Sequence, residues 1–189
     1  MKPFKSVLLF SLVLPISAEA NDFAWALYVK AGGYTVEDPD GETEDVSKFL
    51  PGAKVTYPVI NRNSRVAVGF DWIDFELDTD GAEVAQKVSG YRLFGAYERE
   101  FPFSRNVKFW GGVGLTLDDV TYKDRYTVDS DGYLVDHFED RSEANAGSTF
   151  YVNALFGRGA FVPGLGIFAD IPFGDSVKAI GVNLSLNFN

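Results

Sequence analysis

The sequence contains no cysteine. Disulfides, thiolate zinc sites and a cysteine nucleophile are therefore excluded together. Histidine occurs once, as His137, and methionine once, as Met1, which leaves little material for ligating a cofactor or metal, and none is expected. Basic residues are also scarce: 17 Lys and Arg stand against 27 Asp and Glu, a formal net charge of −10. Nucleic acid selects basic faces, so a nucleic-acid partner is not expected. Beyond the N-terminal segment there is no run of the roughly 20 apolar residues that a membrane helix needs. If this chain enters a bilayer, it does so as a closed barrel, the other structure that satisfies every backbone polar group in lipid.

The N-terminus reads as a processing segment. Lys2 and Lys5 form a positive start, residues 7–16 form an apolar stretch too short to span, and Ala18-Glu19-Ala20 fits the small-residue cleavage rule. The expected division is a signal peptide over 1–20 and a single barrel domain over 21–189. An exported chain without disulfides needs another stabiliser, and a large core or a bilayer supplies one.

Aromatics (15%) and glycine (19 residues) are abundant, and after residue 21 the apolar pattern has period two. It is cleanest at the C-terminus, where Ile180, Val182, Leu184, Leu186 and Phe188 alternate with Ala179, Gly181, Asn183, Ser185 and Asn187. Comparable runs lie near 23–32, 49–57, 66–73, 91–98, 107–116, 150–157 and 165–171, eight in all. Each approaches the 9–11 residues of a tilted membrane strand. Pro51 lies inside one run and removes a ladder donor, which predicts a bulge or a rim position.

The connections alternate in length. Segments 33–48, 74–88 and 117–147 are long and acidic, and 58–65, 99–106 and 158–164 are short; only 172–177 departs from the alternation. Within 117–147, Asp129-Ser130-Asp131-Gly132 is a hairpin-turn signal, so the fifth and sixth strands are expected to extend past the membrane as a hairpin. Short connections on one side and long ones on the other, with both termini on the short side, match an even-stranded outer-membrane barrel.

The two faces of the runs differ. One carries Phe23, Trp25, Tyr57, Tyr97, Phe109, Phe156 and Phe188 toward the short connections. Phe49, Phe70, Trp72, Tyr91 and Phe150 lie toward the long ones, with mainly aliphatic residues between. Such rings form girdles at the headgroup level. The opposite face carries Lys30, Lys54, Asp71, Arg92, Glu98, Lys108 and Asp170. Their near-balance predicts ion pairing inside a lumen that eight strands leave just wide enough for side chains to fill. Period two does not by itself say which face points inward, so an exported soluble ligand-binding barrel, apolar inside, stands as an alternative.

An exported chain of this length, with eight alternating runs and the terminal Ile180-x-Val182-x-Leu184-x-Leu186-x-Phe188 strand, resembles the small outer-membrane β-barrel proteins, the OmpX, OmpW and OmpA-transmembrane-like class. The resemblance covers essentially all of 21–189. It implies an all-β, eight-stranded antiparallel up-and-down transmembrane barrel in the bacterial outer membrane. It also implies contact with lipid and lipopolysaccharide, and recognition of the C-terminal strand by the barrel-assembly machinery. In that class the chain usually ends on the aromatic; here Asn189 follows Phe188.

No motif points to catalysis. His137 lies in Val135-Asp136-His137-Phe138-Glu139-Asp140, outside the expected spans. The resembling lipid A deacylases use a His-x-Ser pair on a membrane strand, and two residues after His137 stands Glu139. Asp38-Pro39-Asp40-Gly41 and Asp129-Ser130-Asp131-Gly132 lack the ligand spacing of an EF-hand and suit turns without an ion. Gly111-Gly112-Val113-Gly114 lies within a strand run and precedes no helix, so it is not a phosphate loop. The expected role is non-enzymatic, envelope structure or surface interaction through acidic loops. A narrow channel or a lateral-diffusion route for a small, hydrophobic solute is the alternative implied by the OmpW-type resemblance.

Overall fold

The computed structural model describes residues 23–37, 43–59, 61–77, 86–104, 106–123, 125–128, 134–138, 141–173 and 177–188. Residues 1–20, expected to be a signal peptide, residues 129–132, expected to form a turn, residues 38–41 and Asn189 lie outside these residues. The strands are β1 (Ala24–Glu37), β2 (Thr43–Val59), β3 (Asn61–Leu77), β4 (Gln86–Pro102), β5 (Val107–Lys123), β6 (Arg125–Val128), β7 (Leu134–Phe138), β8 (Arg141–Phe156), β9 (Phe161–Pro172) and β10 (Lys178–Phe188). Eight of them close a barrel in the order β1-β10-β9-β8-β5-β4-β3-β2, every neighbour antiparallel. Following the pairing once round from Gly33 leads through Ile180, Ala169, Phe150, Val113, Tyr97 and Val66 to Tyr57. Gly33 pairs directly with Ser47, so each circuit climbs ten residues along β2. Such a stagger requires the strands to tilt, by about 35–45° in barrels of this kind.

The side chains settle which face is inside. Ile180, Val182, Leu184 and Leu186 point outward, while Lys30, Lys54 and Arg92 are enclosed. The soluble alternative, with the apolar face inward, is thereby overturned. A wall of exposed Leu, Val, Ile and Phe around a charged interior has no stable arrangement in water, but it matches hydrocarbon.

Several strands outrun their apolar runs, and in the extensions the faces exchange character. On β3, Val66, Val68, Phe70 and Trp72 face outward; then Ile73 and Phe75 turn inward and the polar Asp74 and Glu76 face out. On β5 the outward series Val113, Leu115, Leu117 gives way to Asp119, with Val120 and Tyr122 buried. Tyr34, Val36, Leu50, Ile73, Phe75, Val88, Val120, Tyr122 and Val177 belong to one buried apolar cluster at the long-connection end. Below that level the barrel is apolar outside and ionic inside; above it, the order is that of a soluble protein.

Two expectations change here. Strands β5 and β8 do continue together, as far as Tyr122↔Arg141, but the remainder of that connection forms a separate two-stranded sheet, β6 on β7. His137 lies on that short strand, paired with Tyr126 and outside the barrel spans. Pro51 faces outward in β2, and the β2–β3 ladder ends beside it: Gly52↔Asp71 is its last pair, although both strands continue.

Candidate functional site

Alternation on tilted strands brings charged residues from distant parts of the chain into one narrow interior. Six of the seven charged residues singled out above join two clusters there. In the upper cluster, Lys30 Nζ donates to Asp71 Oδ2 at 2.7 Å and to Asp170 Oδ2 at 2.9 Å. The Arg92 guanidinium grips Asp118 with two parallel bonds of 2.7 Å and donates to Asp170 at 2.8 Å and the Val177 carbonyl at 2.7 Å. The Tyr28 hydroxyl donates to Asp71 Oδ1 at 2.7 Å. In the lower cluster, Glu98 accepts from Lys54 Nζ at 2.5 Å, from the Tyr151 hydroxyl at 2.6 Å and from Arg65. Arg65 stacks over the Trp110 ring at 3.7 Å.

The enclosed set is balanced: Lys30, Lys54, Arg65 and Arg92 against Asp71, Glu98, Asp118 and Asp170. Bidentate pairing and shared carboxylates offset part of the large desolvation cost of burying charge. Lys108 corrects the sequence reading. It is the second residue of β5, at the short-turn rim, where the lumen meets solvent; half exposed, it donates to Glu100 at 3.3 Å outside both clusters.

Sequence reasoning missed Arg65, Asp118 and the hydroxyls of Tyr28 and Tyr151. The apolar runs end before Arg65 and Asp118, so periodicity places both in connections. Carrying the inward parity one step past each run would have found both.

Side chains fill what the charges leave. Gly52 and Gly112 lie beneath the rings of Tyr28 and Tyr151, so closely that an added Cβ would collide with each ring. An interior cavity of about 20 Å³ remains between Tyr28, Lys54, Phe94, Tyr151, Asn153 and Asn183. That is space on the scale of a single water. Above it the apolar cluster closes the mouth.

The seven aromatics named for the short-connection side all stand on the outer wall. Trp25 stacks on Phe188 at 3.8 Å, Phe161 meets the same Phe188 ring edge-on at 5.2 Å, and Phe23 lies 5.0 Å from Tyr57. Phe101, Phe103 and Phe161 join them at that end, with Phe103 edge-on to Phe109 at 5.3 Å.

No protein-family model matches the sequence, and neither does any curated protein. Solved structures do match the fold. Neisserial surface protein A is similar at 13% identity and a TM-score of 0.57, over 87% of this chain and 97% of that one. The attachment invasion locus protein Ail of Yersinia pestis, solved with the heparin analogue sucrose octasulfate, is similar at 15% identity and a TM-score of 0.50, over 88% and 98%. The outer membrane protein OprG of Pseudomonas aeruginosa is similar at 9% identity and a TM-score of 0.51, over 87% and 95%. Identities this low speak for the fold alone, and on that ground the chain folds as a small eight-stranded β-barrel of the outer-membrane type.

Proposed function

We propose that this is a non-enzymatic protein of the bacterial outer membrane, exported by the signal peptide at 1–20 and serving the envelope or its surface interactions through an acidic outer crown. The exchange of polarity along β3 and β5 carries this reading. The apolar wall ends at a level marked by Trp72, Tyr91 and Leu117, and above it Asp74, Glu76, Lys87, Asp119 and Lys123 face outward. The short turns then face the periplasm. The rings of Trp25, Tyr57, Tyr97 and Phe188 form the inner girdle, lipid and lipopolysaccharide surround the wall, and the strand ending at Phe188 presents itself to the barrel-assembly machinery. The acids of the long connections favour a cationic surface partner over the sulfated polyanion bound by Ail. Cell fractionation, with gel mobility before and after boiling, tests the class. The expected result is outer-membrane recovery and a folded band that shifts on heating. Recovery in the soluble periplasm sinks it.

One observation favours a second reading, a lateral route for a small apolar solute. Beyond Gly52↔Asp71, β2 and β3 run on unpaired to each other, and the outward Phe49 and Trp72 flank the break. Inside it stand Leu50 and Ile73, which would have to part. In planar bilayers the filled lumen predicts no steady ion conductance. For the lateral route, liposomes holding the protein should take up an apolar probe faster than empty ones, and Pro51→Val, which restores an N–H at the break, should slow that uptake. Uptake equal to that of empty liposomes removes this reading.

A further inference from the structure

Arg99 occupies an unusual place. Among the described outward strand positions below the Tyr91–Asp119 level, it is the one charged residue. It lies three residues before the end of β4, beside the short-turn rim, and its cross-strand neighbours are Ser64 and Gly111. Among the described residues no carboxylate lies within ion-pairing distance of it. Next to it the Tyr97 hydroxyl donates to the buried Ser64 Oγ at 2.9 Å, so the guanidinium stands beside one tyrosine ring on an otherwise apolar wall.

From this patch a groove of about 690 Å³ leads away across β4, β5, β8, β9 and β10. It follows the lane between two rows of paired residues. One row is Arg99, Gly111, Val152, Ile167 and Val182; the other is Tyr97, Val113, Phe150, Ala169 and Ile180. The second row belongs to the circuit that climbs from Tyr57 to Gly33, so the groove rises from the rim to the upper part of the wall, where it ends at Ile180 near the start of β10. Crossing five strands at about 4.8 Å spacing gives a path of roughly 19 Å, the reach of a long acyl chain. Gly111 keeps the lower end open: a Cβ there would come within 2.9 Å of the Phe101 ring.

We propose that this groove is a site for one phosphate-bearing diacyl glycerolipid of the inner leaflet. The Arg99 guanidinium holds the phosphate; an acyl chain lies along the groove over Gly111 toward Ile180. Charge complementarity selects the occupant. An unpaired guanidinium at the edge of hydrocarbon meets lipid phosphates there, and a planar fork of donors suits phosphate oxygens. The proposal rests on the membrane reading above.

The test uses the full-length barrel in detergent, with each variant first shown to keep its heat-shifted band. Native mass spectrometry is run with phosphatidylglycerol, with diacylglycerol of the same chains, and with glycerol 3-phosphate. The expected result is one phosphatidylglycerol retained after loosely held lipid is stripped, and neither control retained. Arg99→Gln should weaken that retention by about tenfold or more, the scale of one lost charge-assisted bond. Gly111→Leu should weaken it too, by filling the groove while leaving Arg99 in place. Undiminished retention in Arg99→Gln, or equal retention of diacylglycerol, overturns the phosphate contact. Undiminished retention in Gly111→Leu, or equal retention of glycerol 3-phosphate, overturns the acyl groove. Failure of the membrane reading looks different: the wild-type band would not shift on heating and the protein would not fractionate with the outer membrane.

Discussion

Replacing Glu98 by alanine should destabilise the barrel by about 3–5 kcal/mol, the scale for breaking a buried ion pair by removing one partner. Glu98 has no measurable exposure and accepts from Lys54, Arg65 and Tyr151 together. Alanine leaves two enclosed cations facing each other with no carboxylate between them. They have nowhere to go: Lys54 lies over the Tyr151 ring at 5.0 Å and Arg65 over Trp110 at 3.7 Å. The check is reversible denaturant unfolding of the protein inserted in lipid, extrapolated to zero denaturant. Adding Lys54→Met to Glu98→Ala should recover part of the loss, because the two positions share one interaction. A cost below about 1 kcal/mol would mean that water reaches the pair and that the lumen is not filled; exposed pairs have that small value.

The second large effect concerns the outer wall. Leu184 is 62% exposed in the middle of β10, flanked across the ladder by Leu165 and Val29. Arginine at this position should cost about 2–4 kcal/mol in a bilayer, the range for a lipid-facing cation near the midplane. The same change at Lys178, where β10 begins, should cost almost nothing, because a cation already stands there. If Leu184→Arg proves as mild as Lys178→Arg in lipid, then Leu184 does not face hydrocarbon. Measuring both variants in bilayers of one composition removes differences in lipid thickness from the comparison.

The barrel was legible in the sequence because period two is a direct consequence of strand geometry, and eight runs with alternating connection lengths leave few topologies. The direction of the faces was not legible from alternation, which is identical for an inward and an outward apolar face; the sorting of aromatics by depth pointed outward. It took side-chain exposure at Ile180 through Leu186 to decide. The ends of the strands were hidden for a related reason. Apolar runs mark where lipid touches the wall, and β3 and β5 continue beyond lipid with their parity of polarity exchanged. Ile73 and Val120 carry that signal, as apolar residues on the parity that holds Asp71 and Asp118 lower down. Arg65 and Asp118 were lost from the candidate site with those ends. Lys108 had the correct parity but the wrong depth, and periodicity carries no information about depth. The ladder break was legible in part: Pro51 warned of an irregularity, but which neighbour β2 would lose depended on the pairing itself.

The exchange of faces also fixes a waterline. If the barrel sank by one residue pair, Asp119 and Asp74 would be dragged into hydrocarbon; if it rose by one pair, Phe49 and Trp72 would be lifted into solvent. Both displacements are unfavourable, so the protein does not bob. A thinner or thicker membrane has to bend to meet it, and the strain of mismatch falls on the lipid around the barrel, not on its height.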